Sequence, residues 1–249
     1  MTTRLEGKAA LVTGAGTGIG RGIAKRLADE GAAVVITGRT KETLAESASQ
    51  HENITYVVAD ITKPDDVARL VSEVRERHGR LDILVNNAGV APVTPFDEVI
   101  MDEYDRVFLA NVRGLVDLTR EALPLLKETK GNVVNLSSAA VARPVANMST
   151  YAASKAAVNT YTKVWAKEFA KDGVRFNIVS PGPIETPIYE KTALSAEEIQ
   201  AHMDRVTQGV PLRRFGKVEE VTSLVAFLAS DEASFITGVE YLVDGGMAI

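Results

Sequence analysis

Tyr151 and Lys155 stand one helical turn apart in the run STYAASKAAVNTY, and Ser138 precedes Tyr151 by thirteen positions in NVVNLSSAAV. A free phenol has a pKa near ~10 and is a poor base at neutral pH. An ammonium beside it favours the phenolate, so Lys155 is expected to draw the Tyr151 pKa down toward working pH. The i,i+4 spacing sets both side chains on one helix face. A hydroxyl at Ser138 can donate to an oxygen that gathers negative charge. Far upstream, ALVTGAGTGIGRGIA holds a glycine-rich turn. Together these groups imply proton transfer at a carbon–oxygen centre beside a bound pyrophosphate, the arrangement that hydride exchange with a nicotinamide requires.

The turn reads Thr13-Gly14-Ala15-Gly16-Thr17-Gly18-Ile19-Gly20. Glycine lets a phosphate approach the backbone with no Cβ in the way. The N-terminus of the helix that follows offers free N–H groups and a partial positive charge. Gly14, Thr17, Gly18, Ile19 and Gly20 are therefore expected to cradle a dinucleotide. A glycine run can also serve packing alone, but the strand–turn–helix context favours the nucleotide. The end of the next apolar run selects between the two nicotinamide dinucleotides. An acid there would hold the adenosine ribose hydroxyls and repel a 2′-phosphate. The sequence instead reads Val34-Val35-Ile36-Thr37-Gly38-Arg39-Thr40-Lys41, with no acid. Arg39 can pair with a phosphate through a charge-assisted bond, so NADP(H) is expected in preference to NAD(H). The competing reading of Arg39 is a solvated turn residue.

These groups need elements to place them. The runs Ala9–Val12, Ala33–Thr37, Thr55–Val58, Ile83–Val85, Asn132–Leu136, Arg175–Val179 and Val239–Val243 predict strands. Several are apolar on consecutive positions, as strands covered on both faces are. Gly20–Glu30, Lys41–Gln50, Pro64–His78, Met101–Lys127, Thr150–Lys171 and Val218–Ser230 predict helices; Val67, Leu70, Val71 and Val74 recur at helical spacing. Strand alternating with helix implies parallel strands joined by right-handed crossovers. The expected fold is α/β, a single doubly wound Rossmann-like domain over residues 1–249. Its parallel seven-stranded sheet should carry helices on both faces. Pro183 to Phe215 departs from that rhythm and contains Leu194–Ile199, which predicts a capped short helix. Ligands sit outside the carboxyl ends of such strands, so residues 183–215 are expected to form a substrate lid.

Gly14, Gly18 and Gly20 give the spacing G-x-x-x-G-x-G. With Asn86-Asn87-Ala88-Gly89 and Tyr151-x-x-x-Lys155, this resembles the short-chain dehydrogenase/reductase family, over nearly the whole chain from Gly7-Lys8 to Asp244-Gly245-Gly246. The resemblance implies an NAD(P)-dependent oxidoreductase interconverting a ketone and a secondary alcohol, with Tyr151 as acid in reduction and base in oxidation. It also implies that Lys155 binds the nicotinamide ribose, that Ser138 bonds the substrate oxygen, and that Asn111 bends its helix and holds a water beside Lys155. Asp60 would meet the adenine amino group and Ile61 would add a backbone contact, although Asp60 could equally cap the helix near Pro64. Asn87, Ala88 and Gly89 would line the cofactor ribose, with Asn86 structural. Pro181, Gly182, Ile184 and Thr186 belong to the segment that would hold the nicotinamide amide, Ile184 by its backbone and Thr186 by its hydroxyl, presenting the B face of the ring. Many NADP-preferring relatives carry a basic residue in the glycine turn, where this chain has Thr17.

Val90–Val93, Ala139–Val141, Asn147, Met148, Ile188 and Tyr189 are expected to face the substrate. They are mostly small or apolar, which suits a neutral ketone or alcohol. Arg143 is the exception; it could meet a carboxylate or phosphate, or be solvated. Reduction of 3-oxoacyl groups on a carrier protein is an alternative, since similar sequences dock such a partner on a basic surface; Lys130 agrees with that and Asp172 does not. Sugar and steroid dehydrogenases are further alternatives. A sugar-nucleotide epimerase or dehydratase would share Tyr-x-x-x-Lys but is usually longer. A non-catalytic NADP-binding sensor would need only the glycine turn, not Asn111, Ser138, Tyr151 and Lys155 together.

The chain has 249 residues, a net charge of -5 and no cysteine. That rules out disulfides, thiolate metal sites and thiol nucleophiles. Mild acidity disfavours nucleic acid. No apolar run approaches the ~18 residues of a membrane span, and no secretory segment is evident, so a cytoplasmic location is expected. His51, His78 and His202 lie far apart, and no metal is expected. The patterns Met101–Lys127 and Thr150–Lys171 hold more apolar positions than one sheet face consumes, among them Val112, Leu115, Leu118, Val158, Tyr161 and Trp165. The corresponding helices pair between subunits in the family, so a homotetramer is expected.

Overall fold

The computed structural model describes residues 3–186 and 196–249. The strands are β1 (Ala9–Thr13), β2 (Ala33–Gly38), β3 (Ile54–Val58), β4 (Ile83–Asn86), β5 (Asn132–Leu136), β6 (Arg175–Pro181) and β7 (Glu240–Val243). They form one seven-stranded sheet in the order β3-β2-β1-β4-β5-β6-β7, parallel at every pairing. The order reverses between β1 and β4. That reversal opens a crevice at the carboxyl ends of the strands, where open α/β sheets bind ligands.

The helices are α1 (Gly18–Asp29), α2 (Lys41–Ala48), α3 (Pro64–His78), α4 (Met101–Phe108), α5 (Gly114–Thr129), α6 (Ser149–Phe169), α7 (Ala196–Gln208) and α8 (Val218–Ala229). Alternate strand residues feed opposite cores. Val12, Val34, Ile83 and Val134 pack with Ile23 and Leu27 of α1 and Val221 and Val225 of α8. Their neighbours Leu11, Val35, Leu84 and Val133 pack with Leu70 of α3, and Leu118 and Leu125 of α5. Each such side chain, once fully buried, contributes about 1.5–3 kcal/mol. The second core also holds a polar ladder. Asn86 Nδ2 donates to Thr119 Oγ1 (3.0 Å) and Asn135 Oδ1 (2.8 Å), and Asn135 Nδ2 donates to Thr162 Oγ1 (2.8 Å). It ties α5 and α6 to the central strands, which gives Asn86 the structural role expected of it.

Three expectations need correction. The predicted helix Met101–Lys127 is interrupted by a π-helical turn at Leu109–Arg113, so α4 and α5 are separate segments. The predicted short helix at Leu194–Ile199 is instead α7, of 13 residues; Leu194 and Ser195 lie outside the described residues, as do Ile188 and Tyr189. Leu115, Leu118 and Val158, offered as surplus apolar positions, are buried within the chain itself, Leu118 in the second core. Trp165 packs on Phe176, with ring centroids 5.9 Å apart.

Candidate active site

The glycine turn is braced by the end of β4. Thr13 Oγ1 accepts the backbone N–H groups of Asn87 and Ala88, each at 3.0 Å. Asn87 Nδ2 donates back to the carbonyls of Thr13 (3.0 Å) and Gly14 (3.1 Å). This contact explains two of the glycines by packing: a Cβ would lie 2.8 Å from Ala88 Cα at Gly14, and 2.5 Å from Asn87 Nδ2 at Gly20. Gly18 is different. It shares a positive φ with Gly14 (+57 and +64), but a Cβ there would meet nothing closer than the Thr186 side chain at 3.6 Å. Thr17 begins α1 without a side-chain cap, so the first-turn N–H groups have no side-chain acceptor. The uncapped N–H groups at the start of α1, with no Cβ at Gly18 and Thr186 close by, fit a pyrophosphate.

Arg21 and Ser47 add a brace that the glycine spacing did not reveal. The Gly16 carbonyl accepts Arg21 Nη2 at 2.6 Å and Ser47 Oγ at 3.1 Å, and Arg21 also pairs with Glu46 at 2.7 Å. Arg39 is exposed just past β2, beside Thr40, which begins α2. Asp60 Oδ1 accepts the N–H (3.0 Å) and hydroxyl (2.8 Å) of Thr62, and the Asp60 N–H donates to Asp66 Oδ2 (2.8 Å). One Asp60 oxygen therefore organises the turn into α3, close to the capping alternative. Ile61 lies against α5, since a Cβ on Gly114 would be 2.8 Å from its carbonyl oxygen.

The proposed reacting groups come from β5 and α6. Beyond β5, Ser137 N donates to Val179 O (2.8 Å) and Ala139 N to Pro181 O (2.9 Å), which fixes Ser138 at the carboxyl edge of the sheet. Tyr151 and Lys155 share one face of α6, with Lys155 Nζ 5.9 Å from the Tyr151 ring centroid. Lys155 is buried and donates to the Leu136 carbonyl at 2.8 Å. Asn111 lies in the π-turn. Its Oδ1 accepts Val90 N (2.8 Å), and its Nδ2 donates to Val90 O (2.9 Å) and Ser154 Oγ (3.0 Å). Ser154 Oγ donates in turn to the Tyr151 carbonyl at 2.6 Å. Asn111 thus joins the loop after β4 to the helix carrying Tyr151 and Lys155, a link through Ser154 that the sequence reading missed although Ser154 directly precedes Lys155.

The electrostatics correct one expectation. Burial raises the Tyr151 pKa above its ordinary value, with the Ser138 hydroxyl bond pulling it the other way. Lys155 is not what moves it. Burial instead lowers Lys155 itself to about 8, because an ammonium without a carboxylate partner resists leaving water. Tyr151 keeps an edge open to solvent at the residue level.

After β6, the Pro181 carbonyl bonds Ala139, and a Cβ on Gly182 would lie 2.8 Å from Asp244 Cα. Ile184 forms a bridge with Gly216, made through Pro183 O and Glu185 N. The backbone polar groups of Ile184 itself are not spent on that bridge. Gly89 faces Asn111 and Lys155, whose Oδ1 and Nζ would be 3.0 and 3.5 Å from an added Cβ. The loops Val90–Val93 and Val141–Met148 are joined by Thr94 N donating to Asn147 O at 2.7 Å. The structure therefore brings the glycine turn, Thr186, Gly89, Ser138, Tyr151, Lys155 and Asn111 to one end of the sheet, with Arg39 and Asp60 beyond β2 and β3.

A family model described as Enoyl-(Acyl carrier protein) reductase matches residues 14–248. A 3-oxoacyl-[acyl-carrier-protein] reductase of Thermotoga maritima is 38% identical over 99% of this chain and 100% of its own length. An L-fucose dehydrogenase of Bos taurus is 39% identical over 99% of this chain and 91% of its own. A solved structure described as a short chain dehydrogenase/reductase family protein superposes with a TM-score of 0.89 at 38% identity, covering 99% of this chain and 100% of that one. The family uses NAD(P)(H), and the uncapped α1, Gly18 and Thr186 fit such a dinucleotide. The chain belongs to the short-chain dehydrogenase/reductase family and is an oxidoreductase acting on CH–OH groups.

Proposed function

We propose that this oxidoreductase uses NADP(H) in preference to NAD(H) and interconverts a small neutral ketone and its secondary alcohol. The observation that carries the reading is Tyr151 and the buried Lys155 sharing one face of α6, with Ser138 held at the carboxyl edge of the sheet close enough to act on the Tyr151 hydroxyl, beside a nucleotide cradle. A bound nicotinamide supplies the hydride. Ser138 orients the substrate oxygen and donates to it as charge grows there. Tyr151 holds its proton firmly at neutral pH, since burial raises its pKa, and delivers it from Oη to the carbonyl oxygen in reduction. The Ser138 hydroxyl, which pulls the Tyr151 pKa down against burial, favours the phenolate left behind. In the reverse direction the phenolate must form first, so alcohol oxidation should rise with pH. Thr17, Gly18, Ile19 and Gly20 would cradle the pyrophosphate; Ile184 and Thr186 would hold the amide. Arg39 would take the 2′-phosphate.

The two named relatives are equally similar to this chain, so they do not choose the substrate. The carrier-protein alternative is weakened on one side: Asp172 pairs with Lys127 at 2.9 Å, and that ammonium lies 5.0 Å from the Phe169 ring centroid. Residues 183–215 remain the proposed lid. A homotetramer is supported by two separate apolar exposures. Tyr104, Tyr161 and Val164 are exposed on α4 and α6, and Phe235, Val239 and Leu242 beside or on the edge strand β7. A Tyr151→Phe variant should lose nearly all turnover of ketones with NADPH while still quenching or shifting NADPH fluorescence on binding. Substantial residual turnover contradicts the assignment.

A further inference from the structure

The loop that leaves β5 carries Ser138 and then Arg143. Arg143 was expected to meet a substrate anion or solvent. It is solvent-exposed, and its Nη1 donates to the carbonyls of Gly209 (2.9 Å) and Met247 (3.0 Å). Gly209 follows α7, and Met247 lies in the segment after β7. These acceptors are tied to each other. Leu212 N donates to Gly245 O at 3.1 Å, and a Cβ on Gly245 would be 2.7 Å from Val210 Cγ1. The Asp244 carboxylate holds the N–H groups of Gly246 and Ala248, each at 2.9 Å. Arg143 itself stands on a turn closed onto Ala139, its N–H donating to Ala139 O at 2.8 Å. Thr186 lies beside Gly18, and Gly209 lies beside Arg143. α7 belongs to the stretch between those two points.

We propose that Arg143 is a positioning residue for substrate binding: it fixes the end of α7 to the serine loop, with residues 244–249 as its second anchor. The inference rests on Ser138 and Tyr151 marking the substrate site. A carbonyl at a helix end has no partner within the helix. One rigid guanidinium that serves the Gly209 carbonyl past α7 and the Met247 carbonyl in the turn after β7 couples the segments that carry them, which a flexible lysine does less well. Residues after β7 thereby act on substrate binding through Arg143.

The test uses Arg143→Ala, Arg143→Lys, Asp244→Ala and the Arg143→Ala/Asp244→Ala double variant. Hydrogen exchange is followed at residues 209–212. Kinetics are measured with ethyl acetoacetate or cyclohexanone and NADPH, or L-fucose and NADP+, using whichever the unmodified enzyme handles best. Arg143→Ala should speed exchange at 209–212 and raise the substrate KM about tenfold, with kcat and the NADPH Kd changed less than about twofold. Arg143→Lys should recover part of this. Asp244→Ala should act in the same direction, and the double variant should be no worse than the more severe single one, as for residues working through one contact. Unchanged exchange in Arg143→Ala overturns the inference, as do KM effects that multiply in the double variant. A parallel fall in kcat, NADPH binding and Tm also overturns it, since that marks general loosening. Exchange needs no turnover, so the inference can fail while Tyr151→Phe remains inactive; an active Tyr151→Phe enzyme sinks the site reading instead.

Discussion

Lys155 is a costly side chain to keep. Its pKa falls from 10.5 to about 8 through burial, which corresponds to about 3 kcal/mol against folding while the group stays charged. The unfolded chain binds the extra proton between those two values. Stability therefore rises as pH climbs from about 8 toward 10.5, and below pH 8 the cost is fully present. Lys155→Met removes the charge but leaves the Leu136 carbonyl without its donor, a loss of about 1–3 kcal/mol. Its stability relative to the unmodified protein should be greatest near neutral pH and decline toward pH 10, read from urea midpoints at each pH. A difference that stays constant with pH would contradict a buried ammonium. Arg39→Ala should raise the NADPH KM about tenfold and leave that of NADH nearly unchanged; equal effects on both would remove the 2′-phosphate role. Placement was legible where spacing fixes it: i,i+4 sets Tyr151 and Lys155 on one face of α6, and the end of β5 sets Ser138 at the carboxyl edge of the sheet. The Tyr151 pKa was not, since helical spacing reports proximity and says nothing of how much protein surrounds a hydroxyl.

The π-turn at Leu109–Arg113 is the element that adjusts the site. It presents Asn111 toward Val90 and Ser154. Buried positions continue through it at Val107, Asn111, Leu115 and Leu118, a spacing that also fits an unbroken helix, so the sequence predicted one helix where there are two segments. Asn111→Leu keeps the side-chain volume and removes the bonds to Val90 and Ser154. It should cut kcat by about 10- to 100-fold with little change in NADPH Kd, which steady-state kinetics and fluorescence titration measure separately. Unchanged kcat would leave Asn111 a helix irregularity only. α7 was underestimated for another reason: beyond Ile199 its sequence offers only Ala201, Met203 and Val206 as apolar residues up to Gln208, too few to extend the helical pattern. Strand existence was easier to read, because β1, β4 and β5 are buried throughout.

For the whole molecule, strand–helix alternation gave the layer architecture, while strand order came only with the structure. Which strand neighbours which depends on long-range packing that periodicity does not encode. Assembly is argued at this scale too. Tyr104, Tyr161 and Val164 lie on α4 and α6, and Phe235 and Leu242 lie near β7, so two distinct two-fold contacts can close a tetramer. Light scattering at micromolar concentration should give four times the chain mass of 26.7 kDa; a monomer would contradict it. No helix of the described residues is long and apolar enough to cross a membrane.

The hydroxyl of Thr13 has a consequence in time. It gathers the N–H groups of Asn87 and Ala88 across the β1–β4 seam, where paired residues such as Leu11 and Leu84 are about seventy positions apart. Joining distant parts of a chain is slow. Refolding should therefore yield early species with native-like helices that cannot yet hold a dinucleotide, and ligand affinity should return together with the last kinetic phase, when the two halves of the sheet meet.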